Sequence, residues 1–204
     1  YRTNYEGERL VNTTQVNYVD PLDRKQILEA DQELRHQMNI ITDFLRKYVP
    51  GYEHCTIKTG ASTLGIRESR RFSGKYVMNI SDLREARRFP DVVVHKAQFV
   101  VDIHNPVGGG QANGIAEYVD AYDIPWRSLV PQKMENLILA GRCISGTHEA
   151  MASYRVMAIA MAIGEAAGIG AALAIDHDVT PENLDVKYIQ KALMDKGAVL
   201  FDEK

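Results

Sequence analysis

Two polar residues on one face of a predicted strand are the first candidates for chemistry in this sequence. The run from Asp91 to His104 is rich in β-forming residues, and its alternation places Asp102 and His104 on the same face. A carboxylate beside an imidazole can orient the ring or stabilise its charge, as proton transfer requires. An ordinary polar strand face has the same pattern, so both interpretations stay open.

A second candidate is a cluster of arginines. The segment from Leu64 to Arg71 contains Arg67, Arg70 and Arg71 beside apolar residues. Guanidinium groups suit a substrate carboxylate or a developing negative charge, although a solvated turn is the usual fate of a charge run. One hypothesis is therefore a small-ligand domain that recognises carboxylates through these arginines.

Composition limits the class of protein. The 204 residues are 45% hydrophobic and carry a net charge of -3, which allows one good core or two modest ones and argues against a nucleic-acid partner. The sequence has no cationic segment followed by an apolar run, which is the pattern of a secretion signal. We therefore expect a cytoplasmic protein in which Cys55 and Cys143 are isolated thiols.

The elements that must position these groups begin with a strand, a turn and a helix between Asn136 and Ala174. Leu137 to Ala140 is an unbroken apolar run, which predicts a strand covered on both faces. A glycine-containing turn follows from Gly141 to Gly146, and a helix begins at about Glu149. Two ridges of small residues on this helix predict close packing from two sides. They are Ala158, Ala162, Ala166, Gly170 and Ala174, and Ala160, Gly164, Gly168 and Ala172.

The same helix raises a membrane alternative. Val156 to Ile175 is apolar apart from Glu165, and about 20 such residues can span a bilayer. A carboxylate at mid-membrane is costly, and the segment is built from alanine and glycine rather than leucine. The sequence therefore favours a core helix and no membrane partner.

The remaining elements follow from periodicity and capping signals. Apolar residues recur at steps of three and four from Ile27 to Tyr48, which predicts a long helix from Asp23 to Tyr48. Asp20 is the expected N-cap, with Pro21 at the first helical position. Asp185 begins a short amphipathic helix that ends near Gly197. The other predictions are a weak strand region over 1–18, strands over 55–59 and 75–78, a helix over 82–88 capped by Ser81, and a mobile loop from Asn105 to Asn113.

Common cofactor and metal motifs are missing from the sequence. Gly164, Gly168 and Gly170 lie within a predicted helix, whereas a dinucleotide fingerprint lies between a strand and a helix. His148 and Glu149 lack the second histidine of a zinc-protease motif, because position 152 is alanine. No metal site is predicted.

Taken together, several segments resemble the C-terminal half of bacterial FAD-dependent oxidoreductases that have a split FAD domain. They occur in the family's order and spacing from about Asp20 to the C-terminus. They are Leu64 to Arg71, Asp102 to His104, Tyr122 with Ile124 to Leu129, Asn136 to Ser145, Thr147 to Ala150, and Arg155 to Met157.

The resemblance implies a mixed α/β fold. Residues 1–131 would be a substrate-type domain with a mostly antiparallel sheet, and residues 132–204 would be the C-terminal strand and helix of a three-layer FAD-binding domain. The family's N-terminal glycine loop, which holds the ADP half of the cofactor, has no counterpart here. Because that loop supplies much of the affinity for pyrophosphate, we expect this chain alone to bind FAD weakly or not at all.

The resemblance also implies roles for individual residues. Arg67, Arg70, His104 and Tyr122 would contact substrate or transfer a proton. Arg155 to Met157 would bring helix N–H groups to the flavin pyrimidine, where they stabilise negative charge. The predicted cofactor-binding residues are Ala140, Gly141, Arg142, Ser145, His148, Arg155, Val156 and Met157.

The function implied is oxidation or reduction of a small-molecule substrate by a flavoprotein of which this chain is a part. Its implied partner is the missing N-terminal half of the FAD domain, and the isolated chain is expected to be inactive. The alternative is a non-catalytic binding module that forms homo-oligomers through an apolar surface left exposed.

Overall fold

The computed structural model of the chain describes residues 1–105 and 116–202, which form two compact units. The units are Tyr1–Ser69 and Arg70–Lys204. Most of the predicted loop from Asn105 to Asn113 lies outside the described residues. The predicted boundary between residues 131 and 132 falls within the second unit, whose core contains residues from both sides of it. The division into substrate-type and cofactor-binding parts stays a prediction.

The first unit is organised around one long helix, α1, which spans Arg24–Tyr48. Its N-cap is Asp23, whose carboxylate accepts hydrogen bonds from the backbone N–H groups of Lys25 and Gln26. The predicted cap at Asp20, with Pro21 as the first helical residue, is therefore wrong, whereas the predicted bounds from Asp23 to Tyr48 agree with the helix to within one residue. Asp20 instead closes the preceding turn, because its carboxylate accepts from Leu22 N at 2.9 Å and its carbonyl accepts from Asp23 N at 3.1 Å. The helix ends at Tyr48, as predicted.

Segments around α1 were predicted as strands and are irregular. Residues 1–18 form one isolated bridge, between Arg2 and Arg9, and Gln15 exchanges two hydrogen bonds with the Gln37 side chain on α1. The predicted strand over 55–59 is wrong because Cys55 bonds to a turn and to a side chain rather than to a neighbouring strand. Its N–H donates to Tyr52 O, and its carbonyl accepts from Arg46 Nε at 2.9 Å.

The second unit contains a small antiparallel sheet. Strand β1 spans Val92–Ala97 and strand β2 spans Tyr122–Pro125, with Val94 opposite Ile124 and Ala97 opposite Tyr122. The predicted run to His104 is thus too long. The register shifts between Val94 and Ala97, where Lys96 has φ of +53°, so the ladder contains an irregularity there and ends at Ala97. The mixture of helices and an antiparallel sheet confirms the predicted fold class.

The segment from Phe72 to Met78 crosses between two other segments of the second unit. Lys75 N donates to Val130 O and Tyr76 N to Arg127 O, whereas Met78 N donates to Ser145 O. These bonds go to two different neighbours, so the backbone makes isolated bridges instead of the strand predicted over 75–78.

Helix α2 spans Ile80–Arg84 and begins at a capping box. The Asn79 side chain accepts from Asp82 N, and the Asp82 side chain accepts from Asn79 N at 2.9 Å. Ser81, the predicted cap, lies inside this helix. The helix also ends at Arg84, before the predicted end at residue 88.

The predicted strand at Leu137 to Ala140 is an extended segment without a ladder in the described residues. Leu139 N donates to Leu129 O at 2.8 Å. Leu139 is buried, but Ala140 is exposed, so the segment is not covered on both faces. A buried strand needs a neighbour on each side, and the described residues supply only this single bond.

Three helices complete the second unit. Helix α3 spans His148–Tyr154, α4 spans Met157–Asp176 and α5 spans Val186–Asp195. The single helix predicted from Glu149 is therefore two helices with a break at Arg155 and Val156. Asp185 caps α5 as predicted, and Gly197, with φ of +94°, follows its end.

Helix α4 is buried on one face rather than approached from two sides. The side that packs on β1 and α5 is buried, whereas Gly164, Gly168 and Ala172 of the second predicted ridge are exposed. The buried residues are Ile159, Ile163, Ala166, Ala167, Gly170 and Ala174. Among the described residues, α4 is the one helix long and apolar enough to cross a membrane, a weak indication that core helices also give.

Candidate functional site

A tight glycine turn connects the extended segment to the rest of the candidate site. Gly141–Cys143 form a single 3₁₀ turn, and Gly141 has φ of +75°. A Cβ at Gly141 would meet no atom within 4 Å, so glycine is required by backbone conformation and not by crowding. Arg142 is exposed beside the exposed Ala140. Three predicted cofactor-binding residues are thus neighbours on one accessible turn.

The turn continues into a backbone that is held from two sides. Phe72 N donates to Cys143 O at 3.1 Å, and Thr147 N donates to Met78 O at 2.8 Å. The guanidinium of Arg71 donates from Nε to Gly146 O at 2.9 Å. These bonds fix the main chain between the glycine turn and α3.

Ser145 lies inside this fixed segment. Its side chain is fully buried, and its Oγ has no hydrogen-bond partner in the described part of the chain. A buried hydroxyl without a partner is costly. Ser145 is thus a polar group that the described residues leave unsatisfied within the predicted cofactor-binding segment.

The junction of α3 and α4 places a bare helix N-terminus after the turn. Thr147 caps α3 through its hydroxyl, next to the exposed His148. Val156, the N-cap residue of α4, provides no side-chain cap, and Met157 is 83% exposed. The first N–H groups of a helix have no intrahelical acceptor. The positive end of a 20-residue helix is therefore presented near the surface.

The carboxylate of Asp102 joins two predicted site residues. Its Oδ1 lies 3.2 Å from His104 Nε2, and its Oδ2 accepts from Arg155 Nη2 at 2.9 Å. Arg155 Nη2 also donates to the backbone carbonyl of Asp102 at 2.8 Å. The side chains of Arg155 and Asp102 are 11% and 18% exposed, so the charges meet in a partly desolvated place. The structure thus brings a substrate-side candidate, His104, next to a cofactor-side candidate, Arg155.

Tyr122 occupies a fully buried position on β2. Its hydroxyl lies 2.8 Å from Ser153 Oγ, which in turn donates to Phe99 O at 2.7 Å. Because the Ser153 proton goes to the carbonyl, the Tyr122 hydroxyl is the donor to Ser153. Burial raises the pKa of Tyr122 to about 12. This burial argues against direct contact with substrate.

The remaining predicted residues are two exposed arginines. Arg67 belongs to the first unit, and Arg70 is the first residue of the second unit. Their proposed contact with substrate stays a prediction. Arg71 belongs to the same arginine cluster, and its guanidinium donates a hydrogen bond to the backbone carbonyl of Gly146.

The sequence matches the profile of the family described as FAD dependent oxidoreductase over residues 1–193. The chain belongs to the FAD dependent oxidoreductase family. No curated protein and no solved structure gives a significant match. The match confirms the resemblance to the family, and FAD is the cofactor that the family implies. The bacterial origin and the absence of an N-terminal half stay predictions.

The residues of the C-terminal segment fit this cofactor. The uncapped end of α4 could stabilise the negative charge of a reduced flavin, since helix N-termini bind anions. Gly141 has no side chain, so the backbone there can closely approach a ligand. Ser145 offers a hydroxyl that the described protein does not satisfy.

Contacts of two residues in the site were not predicted. Asp102 was expected to act on His104, but its bond to Arg155 spans more than fifty residues of sequence, and no local pattern indicates it. The sequence did not indicate the contact of Ser153 with Tyr122, because a serine within a helical run can have many roles. Its contact with Tyr122 depends on how α3 packs against β2. Among the described residues no group of His, Cys, Asp and Glu is arranged to hold a metal ion.

Proposed function

We propose that this chain forms the flavin-facing return segment and part of the substrate side of an enzyme that exchanges electrons between FAD and a small molecule. The observation that carries the proposal is the uncapped N-terminus of α4, which follows a rigid, glycine-containing turn in a chain of this family. Such an arrangement favours binding of a group that gains negative charge in the reaction.

The cofactor, when bound, supplies the two-electron chemistry of the reaction. The chain's own contribution is electrostatic and positional. The N–H groups at the start of α4 would face developing negative charge, next to Val156 and Met157. The exposed Arg142 and His148 would lie along the cofactor, and Ala140, Gly141 and Ser145 would supply close backbone and hydroxyl contacts.

On the substrate side, His104 is the proposed proton-transfer group. Its imidazole is 31% exposed and contacts the Asp102 carboxylate, an arrangement suited to general acid or base chemistry. Arg67 and Arg70 remain proposed contacts for a negatively charged substrate group. Tyr122 was proposed as catalytic, and its burial leaves it the role of supporting Ser153 and β2.

The test compares two proteins: the product of the complete coding sequence and the 204-residue chain alone. We expect the complete product to be yellow and to bleach on chemical reduction. We expect the chain alone to be colourless, because it lacks a glycine loop for the pyrophosphate. A colourless complete product that cannot be reconstituted with FAD would contradict the proposal.

A second candidate function is a module that oligomerises without catalysis. The observation that favours it is the exposed apolar side of α4, where Met157, Met161 and Ile175 are each at least 75% exposed. Size-exclusion chromatography distinguishes the candidates, since a homo-oligomer should dissociate on replacement of Met161 by Glu. A clean monomer counts against this second function.

The proposed partners are those that could cover the exposed apolar side of α4. The N-terminal half of an FAD domain would cover α4 and complete the cofactor site, and a homo-oligomer is the alternative cover. A cytoplasmic location, without a nucleic-acid or membrane partner, stays part of the proposal.

A further inference from the structure

We propose that residues 197–202 form a pH-sensitive strap, which closes over β1 when His95 gains a proton. These residues follow α5 and lie beyond the part of the chain that matches the family profile, so the strap is separate from the proposed function. The basis is a buried pair, His95 on β1 and Asp123 on β2, together with Asp202 of the strap.

The strap is attached to the second unit by an apolar anchor. Ala198 N donates to Leu193 O at 3.0 Å, and Leu200 is buried in the core. Two residues further on, the side chain of Asp202 is 57% exposed and forms an ion pair with the Lys96 side chain. The anchor therefore holds the strap against the core, whereas the far end of the strap depends on charged contacts.

His95 and Asp123 form a buried hydrogen-bonded pair. Their side chains are 3% and 2% exposed, and His95 Nδ1 lies 2.9 Å from Asp123 Oδ1. Asp123 also accepts from Arg88 Nη1 at 2.9 Å. Two backbone N–H groups, those of Phe89 and Lys96, donate to the same carboxylate. A carboxylate only accepts hydrogen bonds, so the proton shared by the pair lies on His95 Nδ1.

The second imidazole nitrogen faces the strap. His95 Nε2 lies 3.5 Å from Asp202 Oδ1, and this buried nitrogen has no hydrogen-bond partner among the described residues. With the proton on Nδ1, a neutral imidazole presents a lone pair at Nε2, and a lone pair does not bond to a carboxylate oxygen. A second proton, on Nε2, converts the contact into a donor and an acceptor of opposite charge. Protonation of His95 should therefore draw Asp202 inwards and close the strap.

The charged groups around His95 leave it as the group whose charge changes. Helices α4 and α5 also pack on β1, and the side chains that they bury are uncharged. The charged groups that the described structure places around this imidazole are Asp123, Arg88, Lys96 and Asp202. The hydrogen bond from Lys96 lowers the pKa of Asp202, so this carboxylate stays ionised where histidines ordinarily titrate.

The first test is nuclear magnetic resonance of the chain labelled with ¹⁵N-histidine, over a range of about pH 5–9. The sequence has six histidines, and the His95→Gln variant identifies the signals of His95. If that variant does not fold, replacement of all the other histidines leaves the His95 signals alone. The shifts of the two ring nitrogens report the tautomer. At high pH we expect the Nδ1–H form, and the Nε2–H form would overturn the proposal.

Asp202→Asn removes the negative charge that the protonated imidazole gains as a partner. The midpoint of the His95 titration should move to lower pH by about 0.2–0.7 of a pH unit, the size expected for a partly exposed ion pair. Asp195→Asn is the matched control, because it removes the same charge from an exposed carboxylate on α5 that pairs with Lys191. It should leave the midpoint unchanged. Equal midpoints in the two variants would overturn the proposal.

Closure of the strap is measured separately at Phe201, which lies between the anchor and Asp202. The sequence has five phenylalanines, and in a chain labelled with ¹⁹F-phenylalanine the Phe201→Tyr variant identifies one signal. We expect this signal to broaden as the pH falls through the His95 titration, because the strap loses mobility, and to stay narrow in Asp202→Asn. A line width independent of pH in the wild-type chain would overturn the proposal. Neither measurement involves flavin, so both are independent of whether the complete product binds FAD.

Discussion

The indole ring of Trp126 lies against the backbone of Gly170 on α4. A Cβ built on Gly170 would overlap Cη2 of Trp126 and would come within 2.9 Å of Cζ3 and 3.2 Å of the Ile189 side chain. The indole is held in place, because its Nε1 donates to Pro181 O at 3.3 Å. Trp126 begins a single 3₁₀ turn that spans Trp126–Ser128. Glycine at position 170 therefore allows α4, α5 and this turn to share one core.

Gly170→Ala should destabilise the chain because the added methyl group enters this contact. Overpacking of a core costs about 1–3 kcal/mol, which exceeds the gain of about 1 kcal/mol from replacing glycine within a helix. The free energy of unfolding in urea measures the effect.

The matched control for Gly170→Ala is on the same helix. A Cβ at Gly168 meets no atom within 4 Å, so Gly168→Ala should stabilise α4 by up to about 1 kcal/mol. Equal effects of the two substitutions would show that the Trp126 contact does not restrict position 170.

Gly141→Ala should be costly for a different reason. Nothing crowds this position, but its φ of +75° is unfavourable for residues with a Cβ, at roughly 1–2 kcal/mol. Gly65→Ala, at a position without crowding or positive φ, is the control and should be nearly neutral. Thermal unfolding of both variants tests the prediction, which fails if Gly141→Ala is as stable as the control.

Stability at alkaline pH should depend on Tyr122. The unfolded phenol has a pKa of about 10, and burial raises the folded pKa to about 12. Because the folded state retains the proton longer, its contribution is present below about pH 10 and is lost as the pH rises to about 12. The loss should amount to roughly 2–3 kcal/mol.

The test of the alkaline effect is the free energy of unfolding at about pH 9 and about pH 11. The loss between the two should be smaller in Tyr122→Phe, which also removes the bond to Ser153 at a cost of about 1 kcal/mol. Part of the loss should persist, since burial raises the pKa of Tyr154 as well. Tyr118→Phe, at an exposed ring, is the control. The same alkaline slope in Tyr122→Phe and wild type would contradict the assignment.

Local signals predicted the structure where the cause is local. The end of α1 at Tyr48 and the start of α5 at Asp185 follow from periodicity and capping within a few residues. The predicted cap of α1 was wrong because Asp20 and Asp23 are both plausible caps, and only the turn between them decides. The contact between Asp102 and His104 could also be predicted, because it depends on a spacing of two residues.

Features that depend on distant partners could not be predicted. A strand requires a neighbour, and the apolar run at Leu137 to Ala140 has a single backbone bond to Leu129 in the described chain. The break at Arg155 and Val156 lies between two helix-favouring stretches, and no proline or glycine marks it. Arg155 is partnered by Asp102 across the fold, which sequence spacing does not reveal.

The exposed start of α4 gives a prediction in which stability and cofactor binding move in opposite directions. Met157 is the first residue of the helix and is 83% exposed. An acidic side chain there interacts favourably with the helix dipole, by about 0.3–1 kcal/mol, and a basic one unfavourably. In the chain alone, Met157→Asp should therefore raise the melting temperature and Met157→Lys should lower it.

In the complete product, the acidic substitution that raises the melting temperature should lower the content of bound flavin. The aspartate would occupy the positive end of α4 that we propose for the flavin, so Met157→Asp should purify with less FAD, whereas Met157→Gln, a neutral control, should retain it. Flavin absorbance per protein measures the outcome. Equal FAD content in the aspartate and glutamine variants, combined with the expected stability difference, would show that this helix end binds no part of the cofactor.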